Sequence, residues 1–509
     1  MKLKALCEAA GIDCPADEEA REITSLAMDS RCVSAEGMFI CIVGLHSNGH
    51  TYIADAIASG ACCILTQRGQ SFEKKENVLY LEADDTRRAS SRLYHAFYGY
   101  PSQRLKIIGV TGTNGKTSVT YMLRAILEAS LLKCGIVGTL GCFSGGRRLD
   151  SASRDPDANM TTPDPPELYR ILAEMVADGV EYVLMEVTSH ALALGKLDPI
   201  RFEAAVFTNL TPEHLDFHGT MQAYAKAKQE LFSKSKLSLI NADSPYADQM
   251  IAHASGEVIT CGMCGAVDYT PDCIKSHGER GVSYTLSSAS SSLRIFCPVS
   301  GAFSVINSMQ AAIIAGRIGI GTRAISDALS GFSGVPGRME RIKLGPGADF
   351  TVFIDYAHTP DALENLLRTA RPLCINGGRL TVLFGCGGER DRKKRPIMGE
   401  IASRYADRVI ITADNSRHED PQTIINEILA GVLPETEHCV IPDRAIAISY
   451  AVQNAARGDL LLLAGKGHEE YEINQTGRVP FSEKEIVRRA YEARKGSQRN
   501  THDSTENSL

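Results

Sequence analysis

Leu105-Lys-Ile-Ile-Gly-Val-Thr-Gly-Thr-Asn-Gly-Lys-Thr-Ser118 is the stretch whose reading decides the fold. Leu105 to Val110 is an apolar run of the kind that forms a buried strand. Thr111 to Ser118 carries two glycines, a lysine and several hydroxyls, and a helical pattern begins at about Lys116. Glycines allow backbone N–H groups to wrap a phosphate, and the helix N-terminus adds partial positive charge. Lys116 is placed to reach β- and γ-phosphates, and Thr117 to ligate Mg²⁺. The strict GxxxxGK[ST] pattern is not met, because Val110 stands where its first glycine falls. The shorter loop still makes Gly112, Thr113, Asn114, Gly115, Lys116, Thr117 and Ser118 the candidates for holding ATP.

Working outward, short apolar runs alternate with helical patterns. Ala61–Leu65, Tyr182–Glu186, Ala205–Phe207, Leu237–Ile240, Arg408–Thr412 and Leu460–Ala464 read as further buried strands. Alternating β and α order predicts an α/β protein with parallel sheets, whose ligands bind at the carboxyl ends of the strands. Gly and Pro at Tyr98–Ser102 and Gly334–Gly337 mark joints. They divide the chain into 1–100, 101–335 and 336–494, with a polar tail 495–509 that lacks a pattern and is expected to be disordered. The Ser- and Gly-rich stretch 276–292 reads as turns or hairpins.

Length and composition agree with this division. The 509 residues suggest about three domains. Lys and Arg total 54 against 61 Asp and Glu, a net charge of −7. That balance gives no bulk attraction to nucleic acid or anionic membrane, so an anionic ligand needs local groups. The first residues reach Glu8 and Asp13 before an apolar run forms, and no stretch approaches a bilayer span. Fifteen scattered cysteines argue for reduced thiols and a cytoplasmic protein. Cys261-Gly-Met-Cys264 has metal or redox spacing but no second pair follows it, so buried or loop thiols are expected; Cys386 reads in the same way.

The other motifs fall in one order along the chain. They are Asp29-Ser-Arg31, Gly44-Leu-His-Ser-Asn-Gly-His50, Thr161-Thr-Pro163, Glu186-Val-Thr-Ser-His190, Thr208–Gly219, Tyr224-Ala-Lys-Ala-Lys228, Val335–Arg341, Asp355-Tyr-Ala-His-Thr-Pro360, Phe384–Asp391, Asp414-Asn-Ser-Arg417 and Ala464-Gly-Lys-Gly-His-Glu469. With the phosphate loop they resemble the Mur ligase family, MurE type, over about residues 20 to 490. The resemblance implies three domains: a small N-terminal α/β uridine-nucleotide domain, a central ATPase domain with a parallel sheet, and a C-terminal Rossmann-like domain. It implies an ATP-dependent amide ligase that adds a third residue to UDP-N-acetylmuramoyl-L-alanyl-D-glutamate through an acyl phosphate, in peptidoglycan precursor synthesis. Its partners are then small molecules, with no nucleic acid and no membrane insertion, and the working unit is a monomer.

The same resemblance assigns residues. Lys116, Glu186, His214 and Lys228 are the expected catalytic set. Thr117, Glu186, His214 and Lys228 are the expected Mg²⁺ ligands, Lys228 as a CO₂-derived carbamate that turns an ammonium into an anionic group. Lys226 lies on another helix face. Asn307, Arg341, Asp355 and His358 resemble nucleotide contacts, so ATP is expected to be gripped across a domain joint. Ser30 is expected at the uridine diphosphate, with His46 and Ser47 in a nearby loop. Thr161, Thr162, Thr188 and Lys196 are expected at the muramoyl-dipeptide; Thr188 replaces the usual serine and Lys196 the usual arginine, which loses a bidentate fork.

Arg390, Asp414, Asn415, Ser416, Arg417, Gly465 and Glu469 are expected to form the amino-acid pocket. In the family, D-N-P-R marks addition of meso-diaminopimelate. An arginine pairs bidentately with the second carboxylate that lysine lacks, and a buried unpaired arginine rejects lysine. This chain keeps Arg417 and has Ser416 for the proline, which gives up a fixed φ but not the charge. Meso-diaminopimelate is therefore expected, with L-lysine, or another ligase of the Mur superfamily, as the alternative.

Overall fold

A computed structural model describes all residues except 45–46, 151–159, 346, 375–376 and 507–509, with side chains described up to residue 496. His46 lies outside the described residues. Contacts group the chain into two compact units: Met1–Leu210 with His218–Asp268 and Ile313–Ile320, and Thr211–Phe217 with Tyr269–Ala312 and Gly321–Leu509.

The first unit holds two parallel sheets. The N-terminal one runs Leu26–Ala27, Gly37–Ile40, Ala61–Gln67, Leu79–Ala83 in spatial order. Helix Thr86–Phe97 covers it; Asp85 caps that helix by accepting from the backbone N–H groups of Arg87 and Arg88. Leu3, Leu6, Leu93, Tyr169, Leu172 and Phe232 belong to one continuous apolar core, so the N-terminal and central segments of this unit fold onto each other. Asp198 fastens the same contact by accepting from Arg88 (2.8 Å) and Arg92 (2.6 Å).

In the central sheet, Lys106–Thr111 lies between Phe202–Phe207 and Tyr182–Glu186, all parallel, with Val110 opposite Glu186 and Thr111 opposite Phe207. Ser235–Asn241 and Glu257–Cys261 extend it on one side and Cys134–Gly138 on the other. The three central strands end side by side, so the loops that follow Thr111, Glu186 and Phe207 emerge together. This is the edge at which such sheets bind ligands.

In the second unit, residues 269–297 form an antiparallel strand set, Tyr269–Ser276, Val282–Ser288 and Ser292–Cys297, so the Ser- and Gly-rich stretch is indeed hairpin. The C-terminal sheet has the spatial order Thr351–Asp355, Leu460–Ala464, Leu380–Phe384, Arg408–Ile411, Glu437–Val440, all parallel, with Glu340–Arg341 antiparallel at the edge. Asp355, Phe384, Ile411 and Ala464 all stand at carboxyl ends. Helix Glu483–Glu506 carries the backbone well into the tail expected to be irregular. Extending an existing helix avoids the cost of nucleation, so polar residues that would not start a helix can continue one.

No disulfide joins any of the fifteen cysteines, all of which are among the described residues, and Cys261 and Cys386 are buried. Among the described residues no helix is long and apolar enough to cross a membrane.

Candidate active site

The phosphate loop is built as the sequence reads. Strand Lys106–Thr111 passes through Gly112 and Gly115 into helix Lys116–Ala129. Gly112 has φ 150°, and a Cβ there would stand 1.8 Å from Thr208 Oγ1, so only glycine fits. Gly115 caps the helix in the left-handed region at φ 87°. Asn209 shapes the loop: its carbonyl accepts from Thr113 N (3.0 Å) and its Oδ1 from Asn114 N (2.9 Å). Thr208 Oγ1 donates to the Asn114 carbonyl at 2.6 Å. Lys116 Nζ curls over the loop to the carbonyls of Gly112 (2.9 Å) and Thr113 (2.8 Å).

Glu186 is wholly buried at its strand end. One oxygen, Oε2, accepts from Thr117 Oγ1 (2.9 Å) and Thr139 Oγ1 (2.9 Å), and Oε1 accepts from Thr139 N at 3.0 Å. A Cβ at Gly138 would lie 2.3 Å from Oε1, so glycine there makes room for the carboxylate. The hydroxyls continue outward: Thr139 to Thr161 at 3.1 Å, and Thr162 to the Glu186 carbonyl (2.9 Å) and to Thr188 Oγ1 (3.2 Å). Thr188 also caps helix Ser189–Ala193. Lys196 is buried and pairs with Asp164 at 2.7 Å.

Lys228 is 1% exposed, in the last turn of helix Met221–Gln229, whereas Lys226 is exposed. Its Nζ meets the Gly112 carbonyl at 2.9 Å and Thr111 Oγ1 at 3.4 Å, and lies 4.8 Å from the Tyr224 ring centre. Lys116, Thr117, Glu186 and Lys228 thus converge on one strand edge. A hydroxyl beside a buried carboxylate is an oxygen donor set suited to Mg²⁺, which keeps several waters and phosphate oxygens as its other ligands. Among the described residues no three His, Cys, Asp or Glu side chains are grouped so as to hold a metal ion.

Ser30 is half-buried in a single turn capped by Asp29, whose Oδ1 accepts from Arg31 N at 3.0 Å. Nearby, buried His50 bridges Asn48 Oδ1 (2.7 Å) and Gln67 N (3.1 Å). Gln67 N donates to Nε2, so the proton is on Nδ1 and the ring is neutral; burial lowers its pKa accordingly.

The second unit holds the remaining expected residues. His214 has φ 56° in segment Thr211–Phe217, with Nε2 3.7 Å from Glu213. Asn307 is buried on helix Ala302–Arg317. Arg341 pairs with Glu279 at 2.8 Å. Asp355 accepts from Met339 N (2.7 Å) and Ala357 N (2.8 Å), which ties its strand end to the Gly334–Arg341 joint; burial raises its pKa against the pull of Arg338. His358 Nδ1 donates to the Tyr356 carbonyl at 2.8 Å, and burial, with Lys394 nearby, lowers its pKa to about 4, so a neutral Nε2 is presented.

The C-terminal pocket is organised by a lysine that the sequence quoted but did not single out. Lys466 is fully buried, and its Nζ reaches Asn415 Oδ1 (2.8 Å), the Tyr471 carbonyl (3.0 Å) and Asp414 Oδ1 (3.3 Å). Burial opposes ionisation of Asp414, but Lys466 and Arg444 prevail and its pKa falls to about 2. Asn415 Nδ2 donates to Glu469 Oε2 at 2.8 Å. Burial and the Asp414 charge raise the Glu469 pKa, so its carboxylate form is one that a cation beside it would favour. Arg417 has φ 54°, and its Nη1 donates to the carbonyls of Gly388 (3.1 Å) and Asn415 (3.3 Å). Ser416 is buried, and Gly465 at φ 113° would clash with Asp414 Oδ2 at 2.8 Å if it carried a Cβ. Arg390 is exposed beside this pocket's Gly-rich loop, its Nη1 3.4 Å from the Glu389 carbonyl.

Thr139, Asn209 and Lys466 are the site residues that sequence reasoning missed. Asn209 follows the end of a strand legible in the sequence, so the rule that ligand residues gather at carboxyl ends is the signal that could have found it.

Three family models match the chain. They are the Mur ligase family catalytic domain over 22–98, the Mur ligase middle domain over 110–315, and the Mur ligase glutamate ligase domain over 337–467. A UDP-N-acetylmuramoyl-L-alanyl-D-glutamate--2,6-diaminopimelate ligase of Caldanaerobacter subterraneus is 41% identical over 92% of this chain and 94% of its own length. The enzyme of the same name numbered 1 in Clostridium acetobutylicum is 39% identical with the same coverage. A solved structure of a 2,6-diaminopimelate ligase superposes with TM-score 0.67 and 31% identity, covering 97% of this chain and 99% of that one. MurF of Acinetobacter baumannii (TM-score 0.60, 18% identity, 91% of this chain and 95% of that one) shares the fold.

Proposed function

The chain belongs to the Mur ligase family, and from that premise we infer that it adds meso-diaminopimelate to UDP-N-acetylmuramoyl-L-alanyl-D-glutamate. The pocket in which Asn415 binds both Arg417, through its carbonyl, and Glu469, through its side-chain amide, is the observation that carries this reading. It offers a guanidinium for a carboxylate and a carboxylate for an ammonium, the two charges at the far end of diaminopimelate. Lysine has only the second.

The chemistry begins with ATP. A γ-carboxylate oxygen of the D-Glu residue attacks the γ-phosphorus, the bond to the bridging oxygen breaks, and ADP leaves. The amine then attacks the acyl carbon, phosphate leaves with the C–O bond, and the nitrogen loses a proton. Loop N–H groups and Lys116 hold the phosphates in line. Thr117 and Glu186 would hold Mg²⁺, which would neutralise phosphate charge so that two anions can approach. Thr161, Thr162, Thr188 and Lys196 orient the dipeptide at the same edge. The working unit is a single chain in the cytoplasm, where ATP and UDP-linked precursors are available.

An isotope experiment tests this reading. With ¹⁸O in the γ-carboxylate, one labelled oxygen is expected in the released phosphate; unlabelled phosphate would exclude the acyl phosphate.

Lys228 fits a carbamate in its position at the base of the phosphate loop. Its neutral amine adds CO₂, forming an N–C bond and releasing a proton, and the product is an anion beside the metal donors. Lys228→Ala is expected to lose turnover by about 10²–10³-fold and to regain part of it with added acetate. Wild-type activity is expected to fall in CO₂-stripped buffer and return with bicarbonate. Indifference of both proteins to these additions would contradict the carbamate.

A further inference from the structure

The strongest side-chain cluster outside the reacting groups lies behind the amino-acid pocket. Arg395, on helix Lys394–Tyr405, is completely buried. Its Nη1 donates to Glu419 Oε1 and to Glu427 Oε2, both at 2.7 Å. Its Nη2 donates to Glu419 Oε2 at 2.8 Å and to the Gly387 carbonyl at 3.2 Å. Glu419 Oε2 also accepts from Glu389 N at 3.1 Å. One guanidinium therefore joins two irregular segments, Gly385–Asp391 and Asp414–Glu419. Those segments meet again where Gly388 N donates to the Asn415 carbonyl at 2.9 Å, and where Arg417 Nη1 donates to the Gly388 carbonyl. They are pressed so closely that a Cβ at Gly388 would lie 2.0 Å from the Ser416 carbonyl oxygen.

Arg417 needs such a frame. Its φ of 54° is left-handed, which a non-glycine residue holds only when its surroundings over-determine it. Ser416 adds no ring to stiffen the preceding backbone. We propose that Arg395, through its paired bonds to Glu419, is a positioning residue that sets selection between diaminopimelate and lysine by fixing the segment that presents Arg417. This rests on the reading of the pocket given above. Glu427 supplies the contrast: its hydrogen bonds go to Arg395 and Arg392, and among the described residues none of them reaches the backbone of either segment.

The test measures kcat and KM separately for meso-diaminopimelate and L-lysine, in the full-length wild type and in Glu419→Gln, Arg395→Lys and Glu427→Gln, with melting temperatures alongside. Glu419→Gln leaves one acceptor where two charged bonds stood. Arg395→Lys keeps the charge and loses the fork. Both are expected to raise KM for diaminopimelate and to lower the preference over lysine about tenfold, a misplacement effect. kcat is expected to stay within about threefold of wild type, since no reacting group is displaced. Glu427→Gln is expected to lower the melting temperature and keep the wild-type preference. Equal preference in wild type, Glu419→Gln and Arg395→Lys would overturn the proposal, as would an equal loss of preference in Glu427→Gln. A wild type that favours lysine would instead overturn the pocket assignment on which the proposal rests.

Discussion

Glu186→Gln is expected to lower turnover by about 10²–10³-fold. Glu186 has no exposed surface, and its carboxylate accepts three bonds from Thr117 and Thr139. An amide of the same shape removes the negative charge that a hard cation requires. It also turns an NH₂ toward a hydroxyl or an N–H that now donates, so one buried donor loses its acceptor. Single-turnover rates titrated with Mg²⁺ check this. The variant is expected to need far more Mg²⁺ and still to react slowly, while its melting temperature changes little, because removing a buried charge offsets the lost bonds. Turnover within about threefold of wild type at ordinary Mg²⁺ would contradict the metal-holding role.

Arg417→Ala is the second such substitution. Hydrogen bonds to charged groups contribute about 1.5–3 kcal/mol each, and a bidentate pair with a carboxylate involves two of them. Loss of kcat/KM for meso-diaminopimelate by about 10²–10⁴-fold is therefore expected, carried mainly by KM, while the rate with lysine stays low or rises. Steady-state kinetics with both amino acids decide it. A variant that still prefers diaminopimelate as strongly as wild type would move the selecting group elsewhere in the pocket.

The phosphate loop was legible because its chemistry is local: two glycines, a lysine and a hydroxyl stand within Gly112–Thr117, between an apolar run and a helix. The seven strands read from apolar runs all form. Cys134–Gly138 was not legible as a strand, since its glycines answer to distant neighbours; a Cβ at Gly135 would lie 2.7 Å from Met175 Sδ. The same distance in sequence hides Thr139, which meets Glu186 47 residues away, and Asn209, which meets Asn114 95 residues away. Neither carries a local pattern that distinguishes it from a turn residue. Lys466 sits inside the Ala464–Glu469 motif, but its burial among Asp414, Asn415 and Tyr471 exists only once the strands ending at Ile411 and Ala464 stand in one sheet, on either side of Leu380–Phe384. In the tail, composition carries no pattern, and the helix already under way at Glu483 runs on as far as Glu506.

Selection of the amino acid joins the charge pattern of one pocket to the identity of the product. The direct measurement supplies the wild-type protein with ATP, Mg²⁺, UDP-N-acetylmuramoyl-L-alanyl-D-glutamate and an equimolar mixture of meso-diaminopimelate and L-lysine, and weighs the products by mass spectrometry. A product dominated by the diaminopimelate adduct, by about 10²-fold or more, is predicted; a lysine adduct in equal or greater amount would contradict the account.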